Sequence, residues 1–151
     1  MTDLFSAEGV AAFIERINKL TPETKPLWGK MNVDQMLAHV NVPYEMVYDT
    51  GKHSKPKGLM KWILRKFVKT NVVNDTPYKR NMRTAPAFII ADRKDFEAEK
   101  ERLLDNLQRT QQLGSKHFDG KESHSFGPLT ITEWNNMFSK HLDHHLIQFG
   151  V

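Results

Sequence analysis

The sequence predicts an all-α protein in which long helices pack as an antiparallel four-helix bundle. Apolar residues recur at three-to-four spacing over several segments, which is the period of a helix with one buried face. Strand signals are weak, because only Val72–Val73 and residues 87–91 could be short extended pieces and no hairpin signature joins them. The predicted helices span about Ser6–Leu20, Asn32–Asp49, Gly58–Lys69, Asp92–Gly114 and Thr130–Gly150.

Composition narrows the class of protein. The chain has 151 residues, of which 39% are hydrophobic and 26% charged, so we exclude wholesale disorder and expect one domain over residues 1–151. There is no cysteine, which excludes disulfides, thiolate metal ligands and a cysteine nucleophile. No apolar run approaches the roughly 18 to 20 residues of a membrane helix, and the N-terminal segment lacks the features of a signal peptide. We therefore expect a cytoplasmic protein.

The first two predicted helices are separated by residues 21–30, which contain two prolines and a glycine. Asn32 is a good N-cap for the second helix, and Asp34 lies in its first turn. Pro43 lies inside this helix and cannot donate a hydrogen bond to the carbonyl of His39. The pattern therefore predicts a kink or a widened turn beside that histidine.

The third predicted helix is amphipathic and basic. We expect its apolar side to face the core and its basic side to face solvent, with an irregular insert following it over residues 71–91. This extra helix and insert separate the second helix from the fourth. The apolar residues are Leu59, Trp62, Ile63 and Phe67, and the basic ones are Lys61, Arg65, Lys66 and Lys69.

The last predicted helix has the clearest start in the chain. Thr130 and Glu133 have the spacing of a capping box, and Leu129 with Trp134 has the spacing of a hydrophobic staple. The helix therefore begins at residue 130 and continues to about Gly150.

The same helix carries a cluster of histidines. His141 and His145 are four residues apart, so they project from one face and could share a metal ion. His144 points in another direction and could replace one ligand, but could not easily join both. Such a pair also occurs on solvated helices, but the rest of this helix is apolar at several positions, and two imidazoles near a core need partners.

A third imidazole is available on the second helix. His39 lies in a segment that must pack inward, and alone it would be interpreted as a core histidine bonded to a backbone carbonyl. Together with His141 and His145 it would complete an open three-histidine site for zinc or nickel.

Two motifs resemble a known family. The first motif is PLWGKMNVDQMLAH at residues 26–39. The second follows about a hundred residues later and is His141-x-x-His144-His145-x-x-Gln148. In these two motifs the chain resembles the DinB/YfiT superfamily of four-helix-bundle metalloenzymes. The resemblance covers nearly the whole chain and is to a DinB-like branch of unknown function. It implies that His39, His141 and His145 hold a divalent metal, usually zinc or nickel, and that Gln148 matches a glutamine common in the family.

The resemblance also implies a chemistry. Members with known activity resemble thiol-dependent transferases or isomerases that use a low-molecular-weight thiol whose sulfur coordinates the metal. A divalent metal on three histidines can activate a bound water as well as a thiol, so we expect a metal-dependent thiol transferase or hydrolase that acts on a small molecule. Bundles of this kind often dimerise, and we expect a homodimer. Candidate helpers are Gln35, Glu45 and Gln148, although Glu45 would look the same as a solvated carboxylate. A glutamine is a suitable partner for the second nitrogen of a ligand imidazole.

The competing hypothesis is a noncatalytic bundle that binds or dimerises through residues 52–83. This segment holds ten Lys or Arg and a single acid, and we expect it to border the mouth of the site. A helix of this kind could lie on a membrane, but more often it packs its apolar face inward, and no nucleic-acid-binding motif occurs. We therefore expect binding to neither membranes nor nucleic acid. The candidate anion-binding residues are Lys61, Arg65, Lys66, Arg80 and Arg83.

Overall fold

The computed structural model describes residues 1–151 and confirms the all-α fold. Four long helices pack antiparallel, and shorter pieces lie between the second long helix and the third. None of the helices combines the length and apolar composition that a membrane crossing needs. In chain order the elements are α1 (Ala7–Asn18), α2 (Val33–Tyr48), α3 (Gly58–Ile63), a π-helical turn (Leu64–Val68), α4 (Lys69–Val73), a 3-10 turn (Pro86–Phe88), α5 (Phe96–Phe118), β1 (Glu122–Ser123), β2 (Gly127–Pro128) and α6 (Ile131–Gln148).

The two predicted caps set the starts of the helices that carry the histidines. Asn32 and Gln35 form a capping box at the start of α2, and Thr130 and Glu133 form one at the start of α6. Each box satisfies backbone N–H groups that have no partner within the helix. α2 then continues without interruption through Pro43.

The core lies between the long helices. α2 contacts both α5 and α6, and α1 packs on α5. The rings of Tyr44 in α2 and Phe138 in α6 are stacked with centroids 4.7 Å apart, and Trp134 and Phe118 pack around Phe138. These large buried side chains fix α6 against α2, which is the pair of helices that brings the histidines together.

Several predicted boundaries were wrong. The fourth predicted helix begins at Phe96 rather than Asp92, because the side chain of Asp95 accepts the backbone N–H of Ala98 and caps it there. The predicted end near Gly114 coincides with a break in the helix, because Gly114 is not helical and has φ of 72°, but helical structure resumes after it and α5 ends at Phe118. The proposed extended piece Val72–Val73 is helical, and the short hairpin of β1 and β2 was not predicted.

The third predicted helix differs most from expectation. It continues beyond Lys69 to Val73, with a π-helical turn in its middle. Its apolar side chains do not face the core: Leu59 is 71% exposed, Trp62 51% and Phe67 61%. α3 contributes no buried residue, because it packs on the neighbouring helical turn rather than on the long helices.

Candidate metal centre

Three histidines from two helices meet inside the bundle. His39 comes from α2, and His141 and His145 come from successive turns of α6. One ring nitrogen of each lies within 4.8 Å of the others, and Nε2 of His39 and Nε2 of His141 are 2.9 Å apart. His39 and His145 are buried and His141 is partly buried. Such a cluster could hold a metal ion.

Hydrogen bonds fix how two of these rings are turned. Nδ1 of His39 donates to the backbone carbonyl of Phe88 over 2.8 Å, and Nδ1 of His145 donates to Oε1 of Gln148 over 2.7 Å. Both oxygens can only accept, so the proton of each neutral ring is on Nδ1. The lone pair of each Nε2 is therefore free to bind a metal.

Burial keeps the three rings uncharged near neutral pH. It lowers the pKa of His39 and places that of His141 well below its usual range. Burial, together with charge repulsion from His39, lowers the pKa of His145 to about 3. Since a metal binds only the unprotonated nitrogen, the cluster does not have to lose protons before binding at pH 7.

The loop before α2 holds Gln148 in place. Nε2 of Gln148 donates to the carbonyl of Trp28 over 2.7 Å, and the backbone N–H of Leu27 donates to the carbonyl of Gln148 over 2.7 Å. Gly29 has φ of 84°, and a Cβ there would lie 2.6 Å from Nε2 of Gln148. The glycine therefore permits the close approach of loop and amide. This accounts physically for the Trp28-Gly29 part of the first motif.

The irregular insert contributes a wall that the sequence did not reveal. The Phe88 ring packs edge-on against His39 and His141, with centroids 5.5 and 5.7 Å away. The same residue supplies the carbonyl that orients His39. Its only signal was an aromatic residue in a short apolar run, because a backbone carbonyl carries no mark in the sequence.

His144 lies outside the cluster of three. Its half-buried ring packs against Trp28 and Tyr78, with centroids 6.0 and 5.7 Å away. These residues line a cavity of about 120 Å³, together with Arg80, whose guanidinium lies 4.2 Å from the centre of the Trp28 ring. Burial raises the pKa of Tyr78 to about 12, so its hydroxyl stays protonated.

Lys140 lines the same cavity and was not predicted as a site residue. It is 2% exposed, and its Nζ donates to the carbonyls of Asn71 and Asn74 over 2.9 and 2.7 Å. Burial lowers its pKa to about 8. The ammonium thus satisfies carbonyls at the end of α4 and ties that helix to α6.

The other predicted helpers do not contact the histidines. Oε1 of Gln35 accepts the Asn32 N–H and its Nε2 donates to the carbonyl of Ala91, so both of its polar atoms hold the start of α2. Glu45 is 9% exposed and accepts hydrogen bonds from Lys52, His53 and Arg102. Glu45 is therefore not a solvated carboxylate, and it belongs to a separate ionic cluster.

Glu45→Gln is expected to destabilise the protein by about 2–3 kcal/mol at pH 7. Burial raises the pKa of Glu45, but the three donors outweigh it and bring the pKa from 4.5 down to about 2. A carboxylate with a lowered pKa stabilises the fold fully above about pH 4.5, and that contribution is lost as the pH falls toward 2.

Urea unfolding at pH 7 and at pH 3 checks this prediction. The free energies of unfolding of the unaltered protein and of Glu45→Gln should differ at pH 7 and lie closer together at pH 3. Glu15→Gln is the matched control, because Glu15 forms an exposed ion pair with Lys19 and its loss should have no measurable effect. If Glu45→Gln lowers the free energy of unfolding by the same amount at both pH values, the lowered pKa of Glu45 is contradicted.

The predicted anion-binding residues fall at separate places. Lys61, Arg65 and Lys66 line one surface groove on α3 and the π-helical turn. Arg80 lies at the cavity beside His144. Arg83 is exposed and lines neither of these.

A model of the family described as "Protein of unknown function (DUF1569)" matches residues 3–150. The chain belongs to the DUF1569 family. This DUF1569 protein is also similar to the DNA repair protein RAD5 of Saccharomyces cerevisiae, with 27% identity over 122 residues, which is 75% of this chain and 10% of that protein. The chain thus spans about a tenth of the length of that curated relative. No solved structure matches the chain significantly.

Proposed function

We propose that this DUF1569 protein is a DinB/YfiT-like metal-dependent enzyme. It holds one divalent ion, zinc or nickel, on His39, His141 and His145, and it acts on a small molecule by hydrolysis or by transfer of a low-molecular-weight thiol. The observation that carries the proposal is the orientation of the rings. His39 and His145 are each anchored through Nδ1, which leaves Nε2 of each ring for a ligand, and one ring nitrogen of each of the three histidines lies within 4.8 Å of the others.

The donor set fits a metal better than a set of hydrogen bonds. A direct hydrogen bond would satisfy only Nε2 of His39 and Nε2 of His141, whereas Nε2 of His145 makes no hydrogen bond. Three neutral imidazoles are a common ligand set for catalytic zinc, and nickel also accepts imidazole. The carbonyl of Phe88 and the amide of Gln148 are the kind of partners that orient ligand histidines.

Bound at three imidazoles, a divalent ion would lower the pKa of a coordinated water or thiol so that its anion exists near neutral pH. The chain's own residues determine what reaches the ion. Because the chain has no cysteine, any thiol must come from a cosubstrate. The cavity lined by Trp28, Arg80 and His144 lies beside the cluster, since the rings of His144 and His145 are 5.1 Å apart. Its size and its guanidinium suit a small anionic substrate.

The test is the metal content of protein purified without a His-tag or chelator, measured by elemental mass spectrometry. We expect about one zinc or nickel per chain. Removing the ion with a chelator should lower the melting temperature, and returning it should restore the value, because an ion at 100 times its Kd stabilises the fold by about 2.7 kcal/mol. A protein that carries no metal, even after reloading, would overturn the proposal.

A further inference from the structure

The segment 58–68 exposes large apolar side chains to solvent. Leu59 is 71% exposed, Phe67 61%, Met60 56% and Trp62 51%. Scattered apolar residues are normal on a protein surface, but four large ones within nine residues of one helical segment form a patch. We call the exposed surface of residues 58–68 the α3 surface. Its exposure removes the reason for expecting no membrane binding, which was that this helix buries its apolar side.

The π-helical turn builds this patch. A π-helical turn closes its hydrogen bonds between residues five apart instead of four, so it rotates the side chains that follow it around the helix axis. The turn over Leu64–Val68 brings the ring of Phe67 next to that of Trp62, with centroids 5.8 Å apart and edge to face. π-helical turns are rare and occur often at functional sites. Here the turn joins two exposed aromatic rings into one surface.

Cations surround the patch. Residues 52–69 contain seven Lys or Arg and no acidic residue, and three of the seven form ion pairs with glutamates of other segments. A surface groove of about 390 Å³ is lined by Gly58, Lys61, Trp62, Arg65 and Lys66. The Lys66 ammonium lies 4.8 Å from the centre of the Trp62 ring. Lys61 forms an ion pair with Glu122 over 3.3 Å, which leaves Arg65 and Lys66 as the cations beside the aromatic wall. Their charge complements an anionic headgroup.

We propose that the α3 surface docks on anionic lipid membranes. Helices that lie on membranes combine Trp, Phe and Leu on one side with Lys and Arg beside them, and they bind through buried apolar area plus attraction to anionic lipid. Leu59 and Met60 would enter the acyl chains, Trp62 would lie at the interface, and Arg65 and Lys66 would bind headgroup phosphates. Residues 58–68 would thus attach the protein peripherally, without a spanning helix.

Charge and side-chain chemistry favour a lipid over two other partners. In a two-fold dimer the same cationic patch of both copies would meet, so the interface would bring like charges together. A nucleic acid would accept the cations and could stack on Trp62 or Phe67, but it offers no hydrocarbon to Leu59 and Met60. A bilayer surface satisfies both the cations and the aliphatic side chains.

The experiment is co-sedimentation with vesicles. We expect the full chain to bind vesicles made of equal parts phosphatidylserine and phosphatidylcholine, to bind pure phosphatidylcholine vesicles much more weakly, and to be released by salt. Arg65→Glu/Lys66→Glu should weaken binding at least about 30-fold, because each cation near an anionic membrane contributes about fivefold to affinity.

The matched control is Lys25→Glu/Lys94→Glu, which makes the same change of charge elsewhere. The backbone N–H of Lys94 bonds to Asp34 in the first turn of α2, whereas α3 follows the last turn of that helix. The control should bind almost as well as the unaltered protein. Circular dichroism of both double variants checks that each is folded.

Trp62 gives a second readout. The chain has three tryptophans, and Trp134 is buried in the core while Trp62 is half exposed. Binding should therefore shift the tryptophan emission to the blue. Trp62→Phe should lose that shift while still sedimenting with the vesicles.

Results of three kinds would overturn the proposal. The first is no binding to the anionic vesicles at low salt, or equal loss of binding in the two double variants. The second is tighter binding to a random-sequence DNA duplex than to the vesicles, which would make the surface a nucleic-acid site. The third is a dimer in sedimentation equilibrium that Leu59→Ser/Phe67→Ser converts to a monomer, which would make the surface a self-association interface.

Discussion

His145→Ala is expected to abolish stoichiometric metal binding and to leave the helical bundle folded. His145 supplies one of three converging nitrogens, and its ring is the one anchored by Gln148. Two remaining imidazoles with no carboxylate among them make a poor site for zinc or nickel. The substitution leaves a small cavity and an unpaired amide oxygen, which should lower the free energy of unfolding by about 1–3 kcal/mol. A folded domain of this size can tolerate that loss.

Elemental mass spectrometry gives the metal content, and circular dichroism shows whether the helices persist. His144→Ala is the matched control, because His144 adjoins His145 on the same helix but packs on Trp28 and Tyr78 instead of joining the cluster. The control should keep its metal. Full occupancy in the His145 variant would remove the proposed site, and loss in the His144 variant would make His144 a ligand.

The parts of the site that the sequence predicted are those that local geometry determines. A spacing of four on a helix puts His141 and His145 on one face whatever surrounds them. Thr130 and Glu133 are three residues apart, so the start of α6 could also be located from the sequence. The meeting with His39 is a long-range contact that no spacing determines. It was proposed because His39 lies in a segment that must pack inward, and the resemblance implied the same three residues.

The parts that were missed depend on tertiary contacts. The carbonyl of Phe88 orients His39, but its position follows from the path of an irregular segment across the bundle. Asp92 and Asp95 are equally good caps in sequence, and only the structure shows that Asp95 is used. The exposure of Trp62 was missed for the same reason, since an amphipathic pattern does not reveal whether another helix is present to cover it.

Gln148→Ala is expected to keep the metal but to weaken its binding about 10- to 100-fold, the usual effect of removing a residue that orients a ligand histidine. Oε1 of Gln148 accepts the Nδ1 proton of His145, and without it the ring is free to turn. Gln148→Glu should lose less affinity, because it still offers an oxygen to His145 but gives up the hydrogen bond to the Trp28 carbonyl. Competition with a metallochromic chelator measures the affinities.

Like Gln148→Ala, Gly29→Ala should lower the metal affinity, although residue 29 touches none of the three histidines. Its Cβ would lie 2.6 Å from Nε2 of Gln148, so the amide or the loop must move. Gly120→Ala is the matched control: Gly120 also has a positive φ, but a Cβ there would have no neighbour within 4 Å. If the Gly29 and Gly120 variants bind metal alike, backbone strain alone explains any loss. A larger loss at Gly29 would mean that the loop acts on the metal through Gln148, and unchanged affinity in Gln148→Ala would leave the amide without that role.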